Sequence, residues 1–303
     1  MKTTRTLLVF AGTIFAAAFV QAQVIPDFMA VDARHNNVQT GWSSTAPQTY
    51  SAGTAGPYSF EVSVEGNTND LSGNTAPTFT LPGGATYAGS TTLALNGTDW
   101  RRSAYYSSSP FSTDFPNGTY TITQPGASPG TVTLNLAGDF FPITPVVTIT
   151  GGSGTWVGNV LQVTVGTTLT LTTNTFGWDG AGVETNGALA NHIGLFLSHN
   201  GTEVANVERF SNGADPYFNS GTGNPNFATI SNYTFTSGGY FVETEFNAIS
   251  SIDQSYVGAT GVALYTARTT FSIQVVPEPS TFAEIFGLVA LTGVVFNRRR
   301  RLA

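Results

Sequence analysis

The sequence predicts an all-β protein, and three observations favour that fold class. Only 10% of the 303 residues are charged and Lys2 is the one lysine, whereas the solvent faces of helices need lysine, glutamate and arginine. Threonine and aromatic residues, which fit the half-buried surface of a strand, are frequent, and 34 glycines and 15 prolines supply turns. No segment shows a sustained helical period. These observations exclude a helical bundle.

The chain begins with the pattern of a secretory signal peptide over residues 1–22. A short basic stretch precedes an apolar run over residues 7–20, and small residues, Val20 and Ala22, occupy the third and the first position before the Ala22–Gln23 bond. This pattern predicts Sec-type export and cleavage by signal peptidase between Ala22 and Gln23. An uncleaved N-terminal anchor is the alternative. The mature protein is expected outside the cytoplasm.

The central residues read as short strands joined by tight turns. Alternating runs cover residues 58–65, 131–136, 161–165, 169–173, 193–197, 240–246, 262–265 and 271–275. Asn-Gly pairs, which tolerate positive φ at both positions, predict turns at Asn96, Asn117, Asn200 and Asn212. This pattern is typical of antiparallel β-sandwiches.

Chain length favours two domains. Two prolines interrupt the alternation at Phe141-Pro142-Ile143-Thr144-Pro145, and Gly-Gly-Ser-Gly at residues 151–154 is a second candidate junction. We predict β-sandwich domains at residues 23–145 and 146–275.

The motif Phe-x-x-Gly-x-Tyr occurs twice, at residues 115–120 and 235–240. It resembles the tyrosine corner of immunoglobulin-like sandwiches, in which a tyrosine packs inward and bonds back to the preceding turn. The resemblance implies that Tyr120 and Tyr240 take this role, with Gly118 and Gly238 permitting the turn. Both domains are therefore expected to be immunoglobulin-like, without a disulfide because the chain has no cysteine.

The C-terminal segment, residues 276–303, has three parts. Val276-Pro277-Glu278-Pro279-Ser280-Thr281 is followed by an apolar run over residues 282–296, and then by Arg298, Arg299, Arg300 and Arg301. The run predicts one short transmembrane helix, interrupted only by Glu284. The four arginines act as a stop-transfer signal and stay on the cytoplasmic side.

This order resembles the PEP-CTERM sorting signal of Gram-negative bacteria. In that family an exosortase processes the tail near the Pro-Glu-Pro motif and releases or attaches the protein at the cell surface. The resemblance implies that Pro277, Glu278 and Pro279 form the sorting motif and that the anchor in the inner membrane is transient. An ordinary tail anchor is the alternative.

Charge and composition exclude several kinds of partner. Without the six terminal cations and the two carboxylates of the tail, five arginines remain against 16 carboxylates. Nucleic-acid binding needs clustered cations and has no support. The absence of cysteine excludes thiolate metal sites and cysteine nucleophiles.

The sequence contains no catalytic or metal-binding motif, and we predict no catalytic residue, metal or cofactor. His192 and His199 are seven residues apart on a predicted strand, which places them on opposite faces. Asp179, Glu184, Glu203, Glu208, Glu243 and Glu245 are the carboxylates from which a hydrolase pair would be drawn. We expect Glu243 and Glu245 to share one face and to contact water.

Four tryptophans suggest a sugar-binding alternative. Trp100 and Trp178 stand in loop-like surroundings and are the candidate ligand-stacking residues, although large aromatic rings in sandwiches usually pack in cores. The sequence thus predicts a non-enzymatic structural or adhesive protein of the cell surface or the extracellular or biofilm matrix, which contacts extracellular polysaccharide or is itself decorated with it. A secreted carbohydrate-binding module is the alternative, and a glycoside hydrolase is the weaker one.

Overall fold

The computed structural model describes residues 24–47, 56–66, 70–126, 130–139, 141–177, 190–210 and 227–277. The described residues form strands and turns and no helix, which confirms the all-β prediction. No helix long and apolar enough to cross a membrane occurs in these ranges. The predicted signal peptide and everything after Pro277 lie outside them.

Seventeen strands are present in the described ranges. In chain order they are β1 (Phe28–Gln39), β2 (Thr45–Pro47), β3 (Tyr58–Glu65), β4 (Thr78–Thr80), β5 (Ala94–Asn96), β6 (Asp99–Tyr106), β7 (Gly118–Gln124), β8 (Gly130–Leu136), β9 (Val147–Thr150), β10 (Thr155–Val157), β11 (Val160–Thr164), β12 (Thr168–Thr173), β13 (Ala190–His199), β14 (Thr202–Phe210), β15 (Thr229–Thr234), β16 (Gly238–Asp253) and β17 (Thr260–Val276).

The strands form one large sheet and two small ones. The large sheet has eleven strands, with the main order β14-β13-β16-β17-β1-β3-β6-β5. Strand β2 pairs with β1, while β11 pairs with both β17 and β10. Strand β17 is parallel to β1 and to β11, so the antiparallel arrangement that the sequence predicts is corrected to a mixed sheet. The small sheets have the orders β4-β7-β8 and β15-β12-β9.

Each small sheet covers one half of the same face of the large sheet. The first core lies under β4-β7-β8 and contains Phe60, Tyr120, Leu134 and Tyr265. The second lies under β15-β12-β9 and contains Leu171, Val242, Phe246 and Phe271, among others. The alternation of side chains along each strand explains the burial, because residues two apart face the same core.

Strands β16 and β17 pass from one core to the other. In β17, Tyr265 belongs to the first core and Phe271 to the second. The sequence predicted two separate strands, at residues 262–265 and 271–275, and the structure corrects this to one continuous strand. The predicted boundary near Pro145 falls between β8 and β9, but the large sheet continues past it.

The two tyrosine corners are present as predicted. Tyr120 is buried and donates a hydrogen bond to Pro116 O at 2.8 Å. The Tyr240 hydroxyl accepts a bond from Thr236 N at 3.1 Å. Gly118 and Gly238 have φ angles of 145° and 129°, which favour glycine.

The predicted Asn-Gly turns have mixed outcomes. Gly97 and Asn200 lie in turns between paired strands, at φ 64° and 50°. Asn117 instead precedes β7, and its Oδ1 accepts a bond from the Tyr265 hydroxyl. Asn212 lies outside the described residues.

Candidate functional site

The face of the large sheet that points away from both cores carries an unusual share of the charged residues. Because strand side chains alternate, β1 directs Met29, Val31 and Ala33 to the first core and Asp32 and Arg34 to the opposite face. The neighbouring strands β3, β6, β13, β14, β16 and β17 also place polar side chains on that face. We call this surface the polar face.

The polar face is curved. Glu208 on β14 and Ser63 on β3 line one cavity of about 180 Å³. A flat sheet would separate these strands by five spacings, or about 24 Å. The sheet must therefore curl toward this side, and β-bulges in the pairs β13–β14 and β16–β17 increase such bending.

One ion-pair network on the polar face joins β1, β3 and β6. The Arg34 guanidinium contacts Asp32 and lies 3.1 Å from Glu61 Oε1. Arg101 lies 3.3 Å from the same Glu61 oxygen and 3.1 Å from Glu65 Oε1. Asp32 and Glu61 are only 4% and 7% exposed, so these charges are held in a largely water-excluded setting.

A second network joins β16 and β17. Arg268 contacts Glu243 and lies 3.8 Å from Glu245 Oε1. Glu243 and Glu245 share one face, as predicted, but their side chains are half-buried and paired with arginine. The expected water-facing acidic surface is therefore corrected, because the curvature of the sheet shields this strand.

Two carboxyls in these networks are poorly stabilised as anions. Burial raises the pKa of Asp32 to about 6, although the Arg34 guanidinium acts in the opposite direction. Burial, together with the charge of Glu245, raises the pKa of Glu243 to about 7.

The pKa values of two other groups are lowered. Burial acts to raise the pKa of Glu245, but the Arg34 and Arg268 guanidinium groups outweigh it and lower that pKa. Burial lowers the pKa of His192 to about 4, so its ring is neutral at pH 7.

A chain of hydrogen bonds crosses the polar face from Asp32 to His192. Thr266 Oγ1 lies 2.7 Å from both Asp32 Oδ1 and Asn247 Oδ1, and Asn247 Nδ2 lies 2.8 Å from His192 Nδ1. A hydroxyl has one proton and can donate to only one of these oxygens. Either the Asp32 carboxyl is protonated, as its raised pKa favours, or the Asn247 amide is turned to present its nitrogen to Thr266. His192 Nε2 lies 3.8 Å from Glu208 Oε1 at the far end.

The structure brings two of the candidate hydrolase carboxylates to one cavity and places a third one elsewhere. Glu208 and Glu245 line the cavity, whereas Glu203 is exposed and accepts a bond from Asn206 Nδ2 at 2.8 Å. Asp179 and Glu184 lie outside the described residues.

The tryptophans do not form a stacking platform among the described residues. Trp100 is half-buried, packs against the first core and donates its indole N–H to Leu71 O at 3.0 Å. Trp42 and Trp156 meet edge to face, with an interplanar angle of 86°. The geometry favours a packing role for Trp100, while Trp178 lies outside the described residues.

The sorting-tail residues fall almost entirely beyond the described ranges. Pro277 is exposed and directly follows β17. Ala22, Gln23, Glu278, Pro279 and the arginines at 298–301 are not among the described residues. Their predicted roles stay predictions.

The sequence patterns did not predict Asp32, Arg34 and Glu61 as site residues. One available signal was the placement of scarce cations, because Arg34, Arg101 and Arg268 are three of the five central arginines. The second signal was the alternation of charged and apolar residues in β1 and β3. Both faces of these strands are buried, so the charged side chains on one face are also held away from water. The curvature that brings these strands together leaves no local trace in the sequence.

Comparison with known proteins gives little further guidance. No family model matches the chain, and no curated protein matches it. Among solved structures, one described as "Biofilm associated protein - BSP domain" matches with 15% identity and a TM-score of 0.18. The match covers 77% of this chain and 30% of that one, so this chain spans under a third of its length. A TM-score this low does not establish a shared fold.

Proposed function

We propose that this chain is an exported, non-enzymatic protein with a structural or adhesive role at the cell surface or in the extracellular matrix, and that an exosortase processes its C-terminal tail. One observation carries the proposal: β17, a central strand of the large sheet, ends at Val276, and the predicted motif begins at the exposed Pro277. The first residue of the motif thus directly follows the last strand of the large sheet and is exposed, which supports access by a membrane-bound enzyme. Proline also keeps that junction extended.

The charged networks are consistent with a non-enzymatic role. Asp32, Glu61, Glu65 and Glu243 are each paired with an arginine, which fixes their positions.

The immunoglobulin-like character of the two halves is also a proposal. The two tyrosine corners, at Tyr120 and Tyr240, support it because each hydroxyl bonds to the backbone four residues earlier, and a bond of this kind is a hallmark of that fold.

The sorting proposal is tested by expressing the full chain and a variant lacking Pro277, Glu278 and Pro279 in a host that has an exosortase. We expect mass spectrometry of the surface fraction to find peptides that start at Gln23 and none that contain the arginines at 298–301. The deletion variant should remain in the inner membrane with an intact tail. Glu284→Ala, which removes a carboxylate outside the motif, is the matched control and should be processed normally. Mature surface protein with an intact tail would contradict the proposal.

A further inference from the structure

The centre of the polar face brings a hydroxyl, an amide and a carboxyl together away from water. Thr266 on β17, Asn247 on β16 and Asp32 on β1 are all buried. Thr266 Oγ1 lies 2.7 Å from Asp32 Oδ1 and 2.7 Å from the side-chain amide of Asn247. Thr266 and Asn247 are register partners, so their side chains leave neighbouring strands directly opposite each other.

This arrangement has the parts of an activated nucleophile. A hydroxyl becomes nucleophilic when an adjacent base accepts its proton and a third group orients that base. Here Asp32 lies at hydrogen-bond distance from the Thr266 hydroxyl, and the Arg34 guanidinium contacts Asp32. Burial raises the pKa of Asp32 to about 6, so above that pH the ionised form, which can accept the proton, predominates.

The Asn247 side-chain amide is the electrophile within reach of this hydroxyl. Whichever way the amide is turned, the atom next to Thr266 Oγ1 is bonded to Asn247 Cγ, through a bond of about 1.3 Å or less. Cγ therefore lies within about 4 Å of Oγ1, while a near-attack arrangement has a distance of about 3 to 3.5 Å. When the amide nitrogen faces Thr266, the amide oxygen lies 2.8 Å from His192 Nδ1, and an N–H there stabilises negative charge on that oxygen.

We propose that Thr266 and Asn247 form an ester cross-link between β17 and β16. The Asp32 carboxylate takes the hydroxyl proton, and a bond forms between Thr266 Oγ1 and Asn247 Cγ. The bond between Asn247 Cγ and its amide nitrogen breaks, and the nitrogen leaves as ammonia with the transferred proton. The chain reacts once with itself, and the reaction consumes no cofactor, oxidant or other reactant.

A cross-link at this position suits a structural protein. The chain has no cysteine and therefore forms no disulfide. Strands β16 and β17 run through both cores, so an ester between them holds this pair together when the hydrogen bonds of the sheet break. Burial of the site excludes the water that hydrolyses an ester. The inference goes beyond the proposed function and does not depend on processing of the tail.

The test uses the full chain, expressed in a host without an exosortase and then purified. Asp253 lies between Asn247 and Thr266, so trypsin and a protease that cuts before aspartate produce one peptide with each residue. We expect mass spectrometry to find the two peptides joined, with a combined mass lower by one ammonia molecule. Hydroxylamine, which cleaves esters, should separate them.

Separate peptides at their full masses would overturn the proposal. Loss of ammonia from the peptide with Asn247 alone would also overturn it, because that result indicates a succinimide at Asn247 and leaves Thr266 unmodified.

Four variants identify the reacting groups. Thr266→Val removes the nucleophile at nearly constant size and Asp32→Asn removes the base, so each should abolish the cross-link. Thr266→Ser keeps the hydroxyl and should retain it. Thr269→Val, the matched control on the same strand, removes a buried hydroxyl that donates to Pro145 O at 2.6 Å, and it should also retain the cross-link. Thermal unfolding confirms that each variant folds, and joined peptides in Thr266→Val would overturn the assignment.

Discussion

At the scale of single residues, the raised pKa values of Asp32 and Glu243 make stability depend on pH. Both carboxyls bind a proton more readily in the folded state than in the unfolded state, so their contribution is lost as pH rises through about 6 and 7. His192 has the opposite effect on stability. Its folded pKa is about 4, so the free energy of unfolding falls as pH falls below the unfolded pKa of 6.5.

We therefore expect the free energy of unfolding to rise by about 1 kcal/mol when pH falls from about 8 to about 6. Urea denaturation at a series of pH values measures this change. Glu243→Gln should abolish this rise, because the remaining contributions of Asp32 and His192 oppose each other, while Glu203→Gln, at an exposed position, should not change it. If the free energy of unfolding instead falls as pH falls over this interval, the polar-face carboxyls are ionised in the folded state at no cost in stability.

The tyrosine corners give a second prediction at this scale. Tyr120→Phe and Tyr240→Phe each remove one hydroxyl that bonds to the preceding turn. We expect each to cost about 1 kcal/mol of unfolding free energy. Thr119→Val, which removes an exposed hydroxyl on the same strand as Tyr120, should change stability by less than about 0.5 kcal/mol. Chemical denaturation distinguishes these values.

Several residue positions were predictable from sequence spacing alone. The period of two placed His192 and His199 on opposite faces, and the structure confirms this, since His192 bonds to Asn247 whereas His199 stacks on Tyr240. The exposure of Glu243 was not predictable in this way. The alternation of side chains along a strand shows which face of the sheet a residue occupies. Whether that face contacts water depends on how distant strands curve around it.

At the scale of strands, β17 shows where sequence patterns fail. The polar stretch around Arg268 separates two apolar runs and resembles a turn, so the sequence predicts two strands. The stretch stays in the sheet because neighbouring strands pair with both of its edges. Strand β1 was missed because Asp32 and Arg34 interrupt its apolar pattern, although both are accommodated by the opposite face.

Close packing of β17 against β8 gives a test at this scale. A Cβ atom at Gly261 would lie 2.9 Å from Val132 Cβ, which is closer than atoms can approach without a shift. We expect Gly261→Val to lower the free energy of unfolding by about 2 kcal/mol through overpacking. Gly239→Val in β16, where the nearest atom is 3.9 Å away, should be neutral or stabilising. Equal effects in urea denaturation would contradict this packing.

At the scale of the whole molecule, the two cores share one sheet. Composition and turn signals were enough to predict layers of β-strands and a domain boundary near residue 145. The shared strands were not predictable, because contacts such as Thr266 Oγ1 to Asp32 Oδ1 join residues 234 positions apart. Nothing local in either segment specifies its partner.

Shared strands predict cooperative unfolding. We expect one calorimetric transition, with calorimetric and van't Hoff enthalpies in agreement. Phe60→Ala in the first core and Phe271→Ala in the second should each lower the temperature of that single transition. Two separable transitions, with each substitution moving only one of them, would show that the halves unfold independently.

The parallel pairing of β1 with β17 also determines how the protein carries tension. Phe28 pairs with Thr260 and Val38 with Thr270, so the start of β1 and the end of β17 lie at opposite ends of the sheet. A pull between these two points slides the strands along each other and loads their hydrogen bonds together in shear, rather than peeling them apart one at a time. If the protein is held at residue 276 and pulled from the start of β1, the force therefore acts along the direction in which the sheet resists it most strongly.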